Sequence, residues 1–289
     1  MTCIHTYQRY DPTRTQTLRA AFERDMTARF KKLIKDIRQL IVTADAFGLQ
    51  AYKFAGTPAQ KVDAFMYWLN NQIGLGLLEM RMMTRVGGID NQPWTSFYIQ
   101  RSYEVGVDRA QKELKKAGIY IDMNARQAMA APYHADRLAL LFTRTYSELK
   151  GVSTAMEQQI GRVLAESMAA GDSPRLISKK LAATIKGGGA ELGITDSLGR
   201  YIPAERRAAM VARTEIIRAH HQATIEEYRH WGAVGVTVRA EWSTAGDDRV
   251  CDECAGMEGN EYTLDEIQSM IPVHPNCRCL ALPVVPTKP

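Results

Sequence analysis

Apolar residues recur three or four positions apart through most of this chain, the period of a helix with one buried face. Leu18, Phe22, Met26, Phe30, Leu33, Ile37 and Leu40 draw the first stripe. It follows Asp11-Pro12, a cap residue and a proline, as helix starts prefer. Arg19, Arg24, Arg29, Lys31, Lys32 and Lys35 fall elsewhere on this helix. "GTPAQ" at 56–60 restarts helix, with Thr57 as cap before Pro58. A further segment is predicted from Pro93 to Gly118, and others over 133–150 and 152–170, the last closed by Gly171. In "GDSPRLISKKLAATIKGGG", Ser173 caps, Pro174 takes the first turn and Gly187 stops the helix. "GGGAELGITDSLGRYIP" is the most loop-like stretch and a candidate internal boundary.

Pro203 opens the last long helix. Ala209, Ala212, Ile216, Ala219 and Ala223 make its apolar stripe, and Glu215, Arg218, Gln222, Glu226 and Arg229 a polar face. Arg213 shares a row with Met210, Ile217, Tyr228 and Trp231, so its charge needs a partner wherever that row is buried. His221 lies near the same row; a snorkelling arginine and a satisfied histidine are the simplest account of the pair. After Gly232 the period changes to two through Val234, Val236, Val238, Ala240 and Trp242, a strand that delivers the chain into "AGDDRVCDEC". The expected fold is mainly α: long N-terminal helices followed by a small α+β C-terminal domain with a zinc-knuckle-like loop.

A chain of 289 residues with 45% hydrophobic and 24% charged residues has material for one large or two modest domains. No apolar run approaches the roughly 18 residues that span a bilayer, and "MTCIHTYQRYDPTRTQ" lacks the apolar core of a signal peptide. A soluble, cytoplasmic protein is expected. Its charge is uneven: residues 1–130 hold 19 Lys and Arg against 12 Asp and Glu, the remainder 18 against 20. A basic front half suits nucleic acid or an acidic partner, although solvated helix faces supply many such residues anyway.

Four of the five cysteines crowd into the last 39 residues, where a reducing cytoplasm favours metal over disulfides. The pattern is C-x2-C, nineteen residues, then H-x2-C-x-C: Cys251, Cys254, His274, Cys277 and Cys279. Two residues between cysteines aim both thiolates at one point, and a second knuckle completes a tetrahedral Zn2+ site. The expected set is Cys251, Cys254, His274 and Cys277, with Cys279 the alternative; if extended, Cys277 and Cys279 point opposite ways. So many protein ligands leave no open position for water or substrate, which makes the site structural. Asp247, Asp248, Glu253 and Glu258 have no spacing that requires a general base, and no phosphate loop, nucleophile elbow or H-E-x-x-H helix is present. No catalytic residues are assigned, and no enzyme is expected.

"VARTEIIRAHHQATIEEYRHWG", "EWSTAGDDRVCDECAGMEGNEY" and "PVHPNCRC" together resemble the C-terminal domain of the phage Mu protein F-like head morphogenesis family, the minor head or minor capsid proteins. The resemblance rests on Arg213-Thr214-Glu215, Trp242, Thr244, Asp247 to Cys254 with Arg249, Gly259, and His274 to Cys279, and covers roughly residues 150–285. It implies a virion protein of few copies, bound to the portal protein at the portal vertex inside the head, that assists assembly, DNA packaging or genome delivery. Packaged DNA and the major capsid or scaffold protein are further expected partners; a membrane is not. The implied division is 1–150, a helical, basic region facing portal or DNA, and 151–289, the Mu F-like domain. Arg213, Glu215, Trp242, Asp247 and Arg249 are the expected bracing residues around the loop. Two other functions compete: a DNA-binding module using the basic front half, and a metal-dependent hydrolase or nuclease.

Overall fold

The computed structural model describes residues 11–48, 56–85, 88–187 and 202–285. Cys3 and most of the predicted loop between Gly187 and Pro203 lie outside them. The elements run α1 (Gln16–Arg38), a π-helical turn (Gln39–Thr43), α2 (Pro58–Gly76), β1 (Met80–Arg85), β2 (Gly88–Pro93), α3 (Ser96–Lys116), α4 (Ala125–Ala128), α5 (Pro132–Ala169), α6 (Pro174–Lys186) and α7 (Ala204–Ala233). Then follow β3 (Arg239–Ser243), α8 (Asp252–Ala255), β4 (Glu261–Tyr262), α9 (Leu264–Gln268) and β5 (Leu280–Val284). The molecule is mostly helical, with a small sheet towards its C-terminal end. Two compact units share the chain: one from Met1–Phe22, Met82–Thr145 and Ala212–Pro289, the other from Glu23–Arg81 and Tyr146–Val211. The boundary expected near residue 150 falls inside α5.

Among the described residues, the regular elements of the second unit are helices apart from the first residues of β1. Met26, Phe30, Leu33 and Ile37 bury the stripe read from the sequence. Beyond Ile37 the buried position is Ile41 rather than Leu40, because the wider π turn shifts the register there. On α2, Phe65, Leu69 and Ile73 are buried, and Thr57 and Gln60 form a reciprocal capping box. Helix α5 passes straight through Gly151, since Leu149, Val152, Met156, Ile160 and Leu164 continue one buried row across it. On α6, Ser173 accepts from Leu176 N, as the cap predicted.

The first unit holds the sheet. Helix α1 starts at Gln16, four residues beyond Pro12, yet Asp11 still serves its start: the carboxylate accepts from Gln16 N at 2.7 Å and from Arg19 at 3.0 Å. Pro93 ends a strand rather than opening a helix; β1 and β2 form a two-stranded sheet that the sequence reading did not anticipate. From Ala212 onward α7 is buried on almost every side. Its apolar row is covered as predicted, but the supposed polar face is covered too: Glu215 is 3% exposed, Glu226 8% and Gln222 9%. Most of the buried polar side chains find partners, although His220 Nε2 has no hydrogen bond among the described residues. Glu226 accepts from Arg137, Gln222 donates to Gln268 O, and Glu227 accepts from Gln111, Trp231 and His134, whose other ring nitrogen meets Tyr103. His221 Nε2 donates to Ile267 O at 2.9 Å, and burial pushes its pKa down to about 4, so the ring is neutral.

Helix α3 crosses α7 at Gly106. A Cβ there would lie 2.4 Å from His220 O and 2.8 Å from Ala223 Cβ, so only glycine permits the approach. Ser102 Oγ donates to Ile216 O at 2.7 Å beside the crossing. The sheet has the order β4-β3-β5, all antiparallel, with Trp242 opposite Ala281. The predicted alternation sends Val238, Ala240 and Trp242 inward, while Val234 stays 59% exposed ahead of the paired strand. Trp242 is fully buried in a core that includes Tyr228, Ile267, Ile271, Cys254, Cys277 and Cys279. The core thus ends at the cysteine cluster.

Candidate metal centre

Two short turns carry the donors. Cys251 is the N-cap of α8, in extended conformation, and its sulfur accepts from Cys254 N at 3.4 Å. One helical turn then brings Cys254 back beside it. In the second turn Cys277 N donates to His274 O at 3.1 Å, with Asn276 in the left-handed region at φ 65°. Asparagine tolerates that conformation better than most side chains. Helix α7 holds the turn in place: Arg213 Nε donates to Asn276 Oδ1 at 2.6 Å, and Asn276 N donates to Thr214 Oγ1 at 3.1 Å.

The two turns meet. Cys251 Sγ lies 3.2 Å and Cys254 Sγ 3.3 Å from His274 Nε2. His274 Nδ1 is 2.9 Å from Pro275 O, and a carbonyl only accepts, so Nδ1 carries the proton and Nε2 turns its lone pair to the cluster. The donors of Cys251, Cys254 and His274 lie within 4.8 Å of one another, and so do those of Cys254, Cys277 and Cys279. Cys254 belongs to both groups. The expectation that Cys277 and Cys279 diverge is overturned: β5 begins only at Leu280, and the unpaired chain before it brings both sulfurs inward.

The residues fit a soft dication. Tetrahedral zinc with bonds of about 2.3 Å to sulfur sets sulfurs roughly 3.8 Å apart, within the 4.8 Å spread of these groups. The thiols divide each other's ionisation. A hydrogen bond from Cys279 draws Cys277 down to about 5, and the Cys254 N–H lowers Cys251. Burial pushes Cys254 up to about 12, and the bond to Cys277 raises Cys279. A dication among such neighbours lets them ionise together. The cluster can therefore hold a metal ion.

Around it, the Asp247 side chain is 4% exposed and accepts from Arg278 Nη1 at 2.7 Å and Nη2 at 2.5 Å, and from Arg249 N and Nη2 at 3.2 and 3.0 Å. Arg278 stands between Cys277 and Cys279, so this fork ties the loop after β3 to the second turn. Trp242 lies behind the cluster in the core. The Glu215 carboxylate meets Arg218 at 3.2 Å and Arg144 at 3.4 Å. Glu258 accepts from Thr244 N at 2.6 Å, and Asp248 and Glu253 are exposed. The sequence reading missed Asn276 and Arg278 as individual supports. An asparagine after His-Pro, in a turn between ligands, was the available signal for the first.

The Arg278 fork holds the Asp247 carboxyl well below the usual carboxylate range. A depressed pKa contributes stability that is present above the unfolded value near 3.9 and is lost as pH falls below it. Asp247→Asn is therefore expected to lower the melting temperature at pH 7, by a margin that shrinks below about pH 4. Thermal melts of both proteins across pH check this; a margin independent of pH refutes it.

Residues 158–282 match the family described as Phage Mu protein F like protein. No curated protein and no solved structure gave a significant match. The matched stretch contains all five donors, Asn276 and the Asp247–Arg278 fork, and with them the helix and strand that lead to the cluster. Over residues 158–282 the chain is thus similar to the Phage Mu protein F like family.

Proposed function

We propose that the chain is a minor head protein of a tailed bacteriophage, a head-morphogenesis protein in which a Zn2+ ion ties the C-terminal fold together. The family match over residues 158–282 carries this reading. Cys251, Cys254, His274 and Cys277 would hold the ion, with Cys279 as the alternative fourth thiolate. Bound there, zinc supplies folding energy by joining α8 to the turn before β5. Protein donors fill its coordination, and Asp247 and Glu258 are already engaged, which favours a structural site over a hydrolytic one.

On this reading the protein works in the host cytoplasm while heads assemble and then inside the capsid at the portal vertex. The portal protein is its main partner, and the major capsid or scaffold protein and packaged DNA are further ones. Among the described residues no helix is long and apolar enough to cross a membrane. A DNA-binding role has one observation in its favour: Arg24, Lys31, Lys35 and Arg38 stand exposed along α1. If they grip phosphates, duplex affinity falls with salt by a log–log slope of about −0.9 per contact.

Co-purification with the portal protein of the same phage, with elemental analysis of the same sample, tests the main reading. A complex carrying one zinc per chain is expected. A metal-free monomer that ignores the portal overturns it, and activity on nucleic acid or peptide that disappears with a chelator favours the hydrolase.

A further inference from the structure

The second unit accounts for the chain's whole net charge of +5. Glu23–Arg81 and Tyr146–Val211 together hold 18 Lys and Arg against 13 Asp and Glu, and the first unit 19 against 19. The basic excess therefore follows the units and not the halves of the sequence. In the first unit the cations of α3 are neutralised: Arg101 meets Glu104, Lys112 meets Asp108 and Lys116 meets Glu113.

Two helices of the second unit carry cations that are not. Arg24, Lys31, Lys35 and Arg38 are exposed on α1 at i, i+7, i+11 and i+14, one narrow row about 21 Å long. On α6, Arg175, Lys179 and Lys186 are exposed at i, i+4 and i+11, in a helix with no acidic residue. Among the described residues, none of these cations makes an ion pair or hydrogen bond. Helix α6 packs against the π-helical turn that ends α1, so the rows stand on neighbouring elements of one unit.

Helix stability does not explain them. Like charges four apart, as at Lys31–Lys35 and Arg175–Lys179, destabilise a helix. The helix dipole accounts for cations in a last turn, such as Arg38 and Lys186. Arg175, however, stands in the first turn of α6, where a cation is disfavoured.

We propose that the two rows form a duplex-DNA-binding surface that grips phosphates without reading bases. The proposal rests on the DNA-binding reading above and gives it a place: the second unit, and α6 as well as α1. Each strand of a duplex offers a charge about every 3.4 Å of axis, so a row of that length faces a dense line of phosphates. An acidic protein segment fits less well. Protein interfaces are anchored at their centres by aromatic and other large side chains, whereas the residues in line with these cations are Ala28 and Ala182.

Fluorescence anisotropy of the full chain on a duplex of about 30 base pairs, across roughly 50–200 mM salt, tests it. With every cation of both rows engaged, the log–log slope of affinity against salt is about −6. Lys31→Gln/Lys35→Gln/Arg38→Gln and Arg175→Gln/Lys179→Gln/Lys186→Gln should each make it shallower by about 2.7. Arg101→Gln/Lys112→Gln/Lys116→Gln on α3 removes the same charge from the first unit and should leave the slope unchanged. Circular dichroism melts confirm that the triple variants fold. A parent chain that ignores duplex DNA at the lowest salt sinks the DNA-binding reading and the proposal together. A common loss in all three variants, or an α6 variant with the parent slope, overturns the surface and leaves that reading standing. Polyglutamate bound as tightly as DNA overturns the choice of partner in favour of an acidic protein.

Discussion

Gly106→Val is expected to unfold the unit built on α3 and α7 at temperatures the parent chain withstands. The α3–α7 crossing has no room to yield on the α7 side. The atom 2.4 Å from a built Cβ is a backbone oxygen, His220 O, and the next is Ala223 Cβ at 2.8 Å. Neither can rotate away, so the helices must separate, and Ser102 loses its bond to Ile216 O with them. Overpacking costs about 1–3 kcal/mol for an added methyl, of which alanine would recover up to ~1 through helix propensity. The branched side chain of valine adds more, so a loss above about 3 kcal/mol is expected, or roughly 6–12 °C in melting temperature for a unit of this size. Gly151→Ala is the control. It sits inside α5 with nothing within 4 Å of its Cβ position and should stabilise by about 0.5–1 kcal/mol. Denaturant titration of both variants decides the matter; a Gly106→Val protein as stable as the parent would show that the crossing relaxes.

The second large effect belongs to Cys254. It is the one donor common to both groups of the cluster and is 3% exposed in the core beside Trp242. Cys254→Ser should reduce metal content from one equivalent to a small fraction. A metal held at about 1,000 times its dissociation constant adds ~4 kcal/mol to stability, equivalent to about 8–16 °C here. Chelation of the parent chain should produce the same loss, while the serine variant should not respond to chelator. Cys279→Ser should keep its metal if Cys277 is the fourth ligand, and Cys277→Ser if Cys279 is. Inductively coupled plasma analysis and calorimetry read both quantities; full metal content in Cys254→Ser would remove the cluster from consideration as one centre.

What the sequence made legible was local. Caps at Thr57 and Ser173, the rows of α1 and α7, and the inward turn of Trp242 all follow from neighbours a few residues apart. The two knuckles were readable for the same reason, since each is set by its own turn. What it concealed depends on partners far along the chain. Glu215, Gln222 and Glu226 read as a solvated face because periodicity registers polarity and not the presence of Arg144, Gln268 or Arg137. Of the expected braces on α7, Arg213 meets Asn276, joined by Thr214, which the sequence reading had not singled out as a brace, while the Glu215 carboxylate meets Arg218 and Arg144. The strand pair β1–β2 escaped notice because "MRMMTR" alternates weakly and Pro93 suggested a helix start. The convergence of Cys277 and Cys279 was hidden because the reading assumed extended backbone where the chain is irregular.

That convergence bears on kinetics as well as on affinity. Four donors saturate tetrahedral zinc, and a fifth waits within reach. An incoming competitor for such an ion need not wait for a ligand to leave unaided, because the spare thiol can enter as another departs. Zinc held here should exchange with added isotope faster in the parent chain than in whichever of Cys277→Ser and Cys279→Ser keeps the metal, at little difference in affinity. The cluster would then be a lasting fastener with a short residence time for each individual ion.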